Sequence, residues 1–391
     1  EAQINILSIL YIYICVSLFT VSVFIFDWQK AAVCFYGDSK KSILENLQSN
    51  FIFGIAVVFS LLGVLFALLT LIQNGWSMLA IFSDPLAVSG RYAAVRGNEG
   101  VAYGLYGMLG TLFAYTTPII CGLIFTVTKS KSKKYFAFII AFLPGLFTMV
   151  FQSSKLIFLI SLCFFIGSML LGRLHNRRNK LITTSNLVNV GLASLLFIPF
   201  IIFSFVSREH FFGDLDALAS IKYAVNSYAL GEIYAFSDFF SYYFGMYSTS
   251  SFYIDSSSYG AYTFYSILNF FGYTKEFVPG LYIETGYLAG VFETNVFTIF
   301  RGIINDFGLI GSFVFFGIVG FIVNYSFYKM LYRSDSIISG LIFVGVIVTI
   351  IMSYLISVFM ARYMFSTLLF AYIVLKLNNF RFQKRPRRVR R

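Results

Sequence analysis

Charge is scarce in this chain: Asp, Glu, Lys and Arg make up 12% of its 391 residues, against 58% hydrophobic and a mean hydropathy of +0.80. So few charges exclude a single soluble domain, whose surface they could not cover. Proline, with six residues, and tryptophan, with two, are rare, whereas phenylalanine (49) and tyrosine (27) are abundant. That balance excludes disordered and collagen-like chains. The four cysteines, Cys15, Cys34, Cys121 and Cys163, mostly sit in apolar runs without paired spacing. They read as small apolar residues and not as a disulfide framework. Gly-rich nucleotide loops, HExxH, CxxC and GxSxG are all missing, so neither nucleotide-driven transport nor metalloprotease chemistry has support.

What is present are apolar runs long enough to cross a bilayer, which takes roughly 20 residues. They fall at about 3–26, 51–73, 102–128, 135–151, 156–172, 184–206, 302–328, 336–355 and 357–375, nine in all. The net charge of +12 would point to nucleic acid on a soluble domain, but here the placement of the charge matters more than its sum. Of 29 Lys and Arg, 18 lie in four clusters: 129–134, 173–180, Lys329 with Arg333, and 376–391. These fall on alternate connections, which assigns one face to the cytoplasm by the positive-inside rule. The connection 207–306 then lies on the opposite face, with four basic residues against ten of the chain's seventeen carboxylates. Counting back from the basic tail puts the N-terminus outside, which leaves room for an upstream helix and a count of nine or ten. The expected organisation is about six membrane helices over 1–206, a large external loop with short helices over 207–301, three helices over 302–375 and a basic cytoplasmic tail over 376–391, an anchor on anionic lipid.

An unstructured connection of this length is uncommon unless it works. Its runs YAFSDFFSYYFGMY (234–247) and YGAYTFYSILNFFGY (259–273) suit a surface lying partly on the membrane interface and partly against a sugar, or an aromatic belt with no ligand.

The order GEIYAFSDFF (231–240), SYGAYTFYSIL (258–268), VPG (278–280) and TNVFTIFRGIINDFGLIG (294–311) resembles the bacterial O-antigen polymerases, the oligosaccharide repeat-unit polymerases. Asn295, Thr298, Asp306, Phe307 and Gly308 match best, with Asp-Phe-Gly opening a helix. QSSKLIF (152–158) resembles the family's external hairpin, with Lys155 where the family has Arg, which forfeits a bidentate phosphate contact. The resemblance implies an all-α polytopic protein of the bacterial inner membrane, GT-C-like, with its active site facing the periplasm. It would be a glycosyltransferase that needs no metal, nucleotide or other cofactor. Its substrates would be undecaprenyl-pyrophosphate-linked oligosaccharides within membrane lipid, and its protein partner a chain-length regulator. Nucleic acid is not a partner. The rival readings are an O-antigen ligase, which delivers glycan to lipid A core, and a lipid-linked glycan flippase. Transporters commonly show internal repeats and midplane charges. The chain has no such repeat and little charge within its spans.

Such a reaction needs cations at the leaving pyrophosphate and an ionisable acceptor for the sugar hydroxyl's proton. The expected cations are Lys155, Arg208, Arg301 and Arg362. The alternative for Lys155 and Arg362 is snorkelling to lipid phosphate. Asn295, Thr298, Asp238 and Tyr259 are expected to contact substrate. Arg301, three residues after Thr298 and five before Asp306, shares one cavity wall with them or forms a structural ion pair with Asp306. Candidate bases are Asp306, Glu293 and His210, the only external histidine. The alternative for Asp306 is a helix cap.

Overall fold

A computed structural model gives the structure. It describes residues 4–37, 47, 50–98, 104–176, 195, 197–212, 217–246, 248, 252, 258, 260–272, 282, 286–288, 292–294, 297–332, 336–361 and 363–383. Among these the regular structure is helical apart from one antiparallel pair of three-residue strands, Gly286–Leu288 and Phe292–Thr294. Six helical stretches are long and apolar enough to cross a membrane: Ile6–Ile25, Asn50–Gln73, Leu105–Val127, Lys131–Gln152, Lys155–His175 and Ile299–Tyr332. The protein is therefore an α-helical membrane protein. The expected run at 184–206 gives only the apolar helix Ile198–Ser207, because 184–194 lie outside the described residues. The last two expected runs give the shorter apolar helices Ile337–Met352 and Met364–Asn379. Residues 384–391 of the basic tail also lie outside the described residues. The 207–306 connection holds a 27-residue helix, Ala217–Tyr243, where only short helices were expected.

Two compact units make up the chain. One comprises Phe35–Ile221, Arg333–Gly345 and Thr367–Arg391. Its helix Leu105–Val127 is buried along nearly its whole length, because small residues let neighbouring backbones come close. A Cβ on Gly122 would lie 2.7 Å from the Phe165 carbonyl oxygen, and one on Gly63 2.9 Å from the Pro144 side chain. Serines then bond across helices: Ser161 donates to the Ala114 carbonyl at 3.0 Å and Ser60 to that of Ile140 at 2.9 Å. The hairpin from Lys131–Gln152 to Lys155–His175 turns on Ser153, at φ 48°.

The other unit comprises Glu1–Cys34, Lys222–Tyr332 and Val346–Ser366. Its first membrane helix, Ile6–Val21, opens where the Asn5 side chain accepts from the Leu7 N–H at 3.0 Å. It packs on Ile299–Tyr332, with the Tyr11 hydroxyl donating to Ser312 Oγ at 2.8 Å and Gly320 against the Phe19 backbone. The core of this unit is aromatic: Phe236, Phe239, Phe240, Phe252, Tyr262, Tyr282, Phe297 and Phe300 are all buried. This corrects the surface role expected for the loop's aromatic runs. Among the described residues of those runs, Phe244, Met246, Phe264 and Phe271 are the large apolar side chains left exposed. Burying each ring among the others removes a large apolar area from water.

Gly308 interrupts Ile299–Tyr332 with φ 64° and ψ −175°, a conformation open essentially only to glycine. The Asp-Phe-Gly step does open a helix, the 24 residues Leu309–Tyr332, but it also ends a preceding one, Ile299–Phe307.

Candidate functional site

The helix Ile299–Phe307 begins after Thr298. Arg301 and Asn305 stand at i and i+4 on one face of it, and Thr298 precedes Arg301 by three residues at its start. Arg301 has no solvent exposure. Its guanidinium carbon lies 3.9 Å from the ring centre of Tyr282, 4.0 Å from Phe297, 5.0 Å from Phe239 and 5.2 Å from Phe252. A cation inside four rings is held by their quadrupoles. Low polarisability around the rings strengthens its attraction for an anion within reach.

Asp306 is turned elsewhere. Five residues beyond Arg301, it lies about 140° around the helix. Its Oδ1 accepts from the Ser258 hydroxyl at 2.6 Å and the Tyr262 N–H at 3.0 Å, and its Oδ2 accepts from the Thr263 N–H. The Ser258 hydroxyl also lies 3.0 Å from the Asn305 carbonyl oxygen. The expectation that Arg301 and Asp306 share a wall or form a pair is therefore corrected, since the carboxylate instead fastens the 258–263 segment. Nor does it cap the following helix.

Buried polar groups in folded proteins nearly always have partners, so those without one call for a reason. In this unit the side-chain polar atoms of Glu232, Thr263, Thr298, Asn305 and Ser357 are buried with no hydrogen-bond partner among the described residues. All belong to the same short helix or to segments that touch it. Asn305 is on its face with Arg301, Thr298 stands at its start, and Thr263 adjoins the Asp306 bonds. Ser357 lies four residues beyond Ser353, whose carbonyl accepts from the Ile299 N–H at 2.9 Å. Glu232 is one turn before Phe236, whose ring centre is 5.8 Å from that of Phe300. Burial pushes the Glu232 carboxyl up to about 7.

The remaining expected residues divide as follows. Lys155, in the other unit, is half-buried, with Nζ 3.8 Å from the Phe205 ring centre and donating to the Ser204 carbonyl at 3.4 Å. These contacts offset its unfavourable place at a helix N-terminus. Arg208 and His210 belong to the helix Ile198–Phe212, in that same unit, and Glu293 pairs with Tyr287 in the two-stranded sheet. Asp238 is half-buried, six residues beyond Glu232 and on another side of its helix. Asn295, Tyr259 and Arg362 lie outside the described residues. Of the expected set, the structure brings Arg301 and Asp306 onto one short helix, with Thr298 at its start. Sequence reasoning missed Glu232 and Asn305. Glu232 stands at i to Phe236 at i+4 and Phe239 at i+7, a spacing that could have placed it on the buried face. Among the described residues, no group of three or more His, Cys, Asp and Glu could hold a metal ion. No family model matches the chain, nor does any curated protein or solved structure.

Proposed function

We propose that this protein is a polysaccharide repeat-unit polymerase of the bacterial inner membrane, joining undecaprenyl-pyrophosphate-linked oligosaccharides at a site on the periplasmic side. The observation that carries this reading is the buried Arg301 on the segment that resembles the O-antigen polymerases, with Asn305 on the same face and Thr298 at the start of its helix. In the transfer, the acceptor hydroxyl attacks the anomeric carbon of the donor glycan and the bond to the diphosphate breaks. Charge grows on the departing phosphate oxygens. A guanidinium fixed in an apolar surround stabilises that charge without first having to reorganise, and the Thr298 hydroxyl and Asn305 amide supply hydrogen bonds to phosphate or sugar. Asp306 has a structural role in this reading, because its oxygens are already occupied. The energy of the reaction resides in the donor diphosphate, in keeping with a sequence that has no nucleotide-binding motif.

Purified protein in detergent, given lipid-linked repeat units, should turn them into a ladder of polymers with release of undecaprenyl pyrophosphate. A product only on added lipid A core would establish the ligase instead, and neither product would refute both.

A further inference from the structure

Glu232 is a carboxyl group that packing alone does not justify. It has no solvent exposure, and neither of its oxygens bonds to any other described residue, its own backbone N–H being the group that bears on the carboxyl. A leucine or methionine would fill the same space without the cost of desolvating a carboxyl. It sits on the stripe of the Ala217–Tyr243 helix that continues through Phe236 and Phe239, and this stripe faces the Arg301 helix: Phe236 packs on Phe300, and Phe239 lies 5.0 Å from the Arg301 guanidinium. Other ionisable side chains stand around this core. The first membrane helix brings Tyr11 and Cys15, and Tyr11 lies 6.1 Å from Phe236 between ring centres. Tyr243 and Tyr282 belong to the same aromatic core. The short helix brings Arg301 and Asp306, and Asp306 is already bonded to Ser258, Tyr262 and Thr263. Asp238 is on another side of its helix. Glu232 is thus the buried carboxyl group of this core whose oxygens no other described residue engages.

We propose that Glu232 is the general base of the transfer, the group that takes the proton from the attacking hydroxyl of the acceptor sugar. The proposal rests on the polymerase reading above. As the acceptor oxygen bonds to the donor's anomeric carbon, its O–H bond breaks and the proton passes to a Glu232 oxygen. The anomeric carbon to phosphate-oxygen bond breaks at the same time, and its electron pair leaves on the diphosphate, which Arg301 holds. Proton and charge balance within the two substrates and this one side chain. A carboxyl group that titrates near 7 is well matched to proton transfer at neutral pH, being ionised for an appreciable fraction of the time and basic enough to accept.

The test uses the full-length protein in detergent and lipid-linked repeat units extracted from the source cells. Three quantities are read for wild type, Glu232→Gln and Glu232→Asp: the rate of ladder formation from pH 5 to 9, binding of the lipid-linked unit, and melting temperature. The expected result is a wild-type rate that rises with pH through about 7 and a Glu232→Gln rate lower by about 10²- to 10⁴-fold. Binding and melting of Glu232→Gln should match or exceed wild type, and Glu232→Asp should recover part of the rate. A Glu232→Gln protein that extends chains as fast as wild type overturns the proposal while leaving the polymerase reading intact. So does one whose rate falls only in proportion to lost binding or lost fold. If wild type itself makes no polymer, the polymerase reading fails and the base assignment falls with it.

Discussion

The Ser258 hydroxyl donates to the Asp306 carboxylate at 2.6 Å, and this bond joins the segment before the helix Tyr265–Phe270 to the last turn before the Gly308 break. With the Tyr262 and Thr263 N–H groups also directed at Asp306, the carboxylate organises a turn. Asp306→Asn is therefore expected to act on the fold. An amide presents one acceptor oxygen where two are used, and its NH₂ would face an N–H donor. Leaving a buried donor unsatisfied costs roughly 1–3 kcal/mol. Thermal unfolding in detergent should show that loss, and Ser258→Ala should show a smaller one. Turnover per folded molecule should change little in either variant. An Asp306→Asn protein that melts like wild type but is inactive would restore Asp306 as a catalytic candidate.

The membrane helices were legible because hydropathy is a local property. The expected 51–73 and 102–128 correspond to Asn50–Gln73 and Leu105–Val127. The Ala217–Tyr243 helix was not, since Lys222, Glu232 and Asp238 interrupt its apolar residues and it meets no spanning criterion. The Gly308 break is invisible in sequence because apolar residues continue on both sides. Arg301 was legible as a candidate, but its surroundings were not. Phe239, Phe252, Tyr282 and Phe297 come from four separated stretches, and no spacing rule connects them. The bonds of Asp306 were illegible for the same reason, as its partners lie more than forty residues earlier.

Glu232 predicts how stability depends on pH. Its carboxyl group has its ordinary value near 4.5 in the unfolded chain and about 7 in the folded protein. Between these values the folded state holds a proton that the unfolded state has released, so stability falls as pH rises across this window and levels off above it. Glu232→Gln removes that dependence. The two proteins should melt alike near pH 4.5, and the variant should melt higher at pH 8. Melting curves that stay parallel over the whole range would show that Glu232 ionises in the folded protein as it does in water.

The orientation that the alternating basic clusters predict is open to direct labelling. Ser132 is exposed in the first turn of Lys131–Gln152, inside the 129–134 cluster. A thiol introduced there by Ser132→Cys should resist an impermeant reagent in intact cells and react after permeabilisation. Ser256→Cys, in the connection 207–306, should react from outside. Cys34, the native cysteine that is not fully buried, is replaced by serine in both proteins. Labelling of Ser132→Cys in intact cells would invert the topology and move the 207–306 connection to the cytoplasm.

Arg301 gives the most discriminating substitution, because its environment uses shape as well as charge. Its guanidinium carbon lies within about van der Waals distance of the Tyr282 and Phe297 rings, at 3.9 and 4.0 Å from their centres. A planar, weakly hydrated cation tolerates that surround, whereas the ammonium of lysine is compact and strongly hydrated and makes no forked contact with phosphate. Arg301→Lys is therefore expected to fail where a simple charge requirement would let it succeed. Loss of one such contact to a departing phosphate is worth roughly 2–4 kcal/mol, or about 30- to 1000-fold in the rate of chain extension. Arg301→Gln should lose at least as much, and Lys129→Ala, at an exposed position in one of the basic clusters, should extend chains normally. Burial makes protein level and melting temperature necessary controls, since removing a cation from its rings also removes their attraction, about 0.5–2 kcal/mol for each desolvated contact. A folded Arg301→Lys protein with wild-type rates would reduce Arg301 to a charge at the site, and a folded Arg301→Gln protein with wild-type rates would remove it from the reaction.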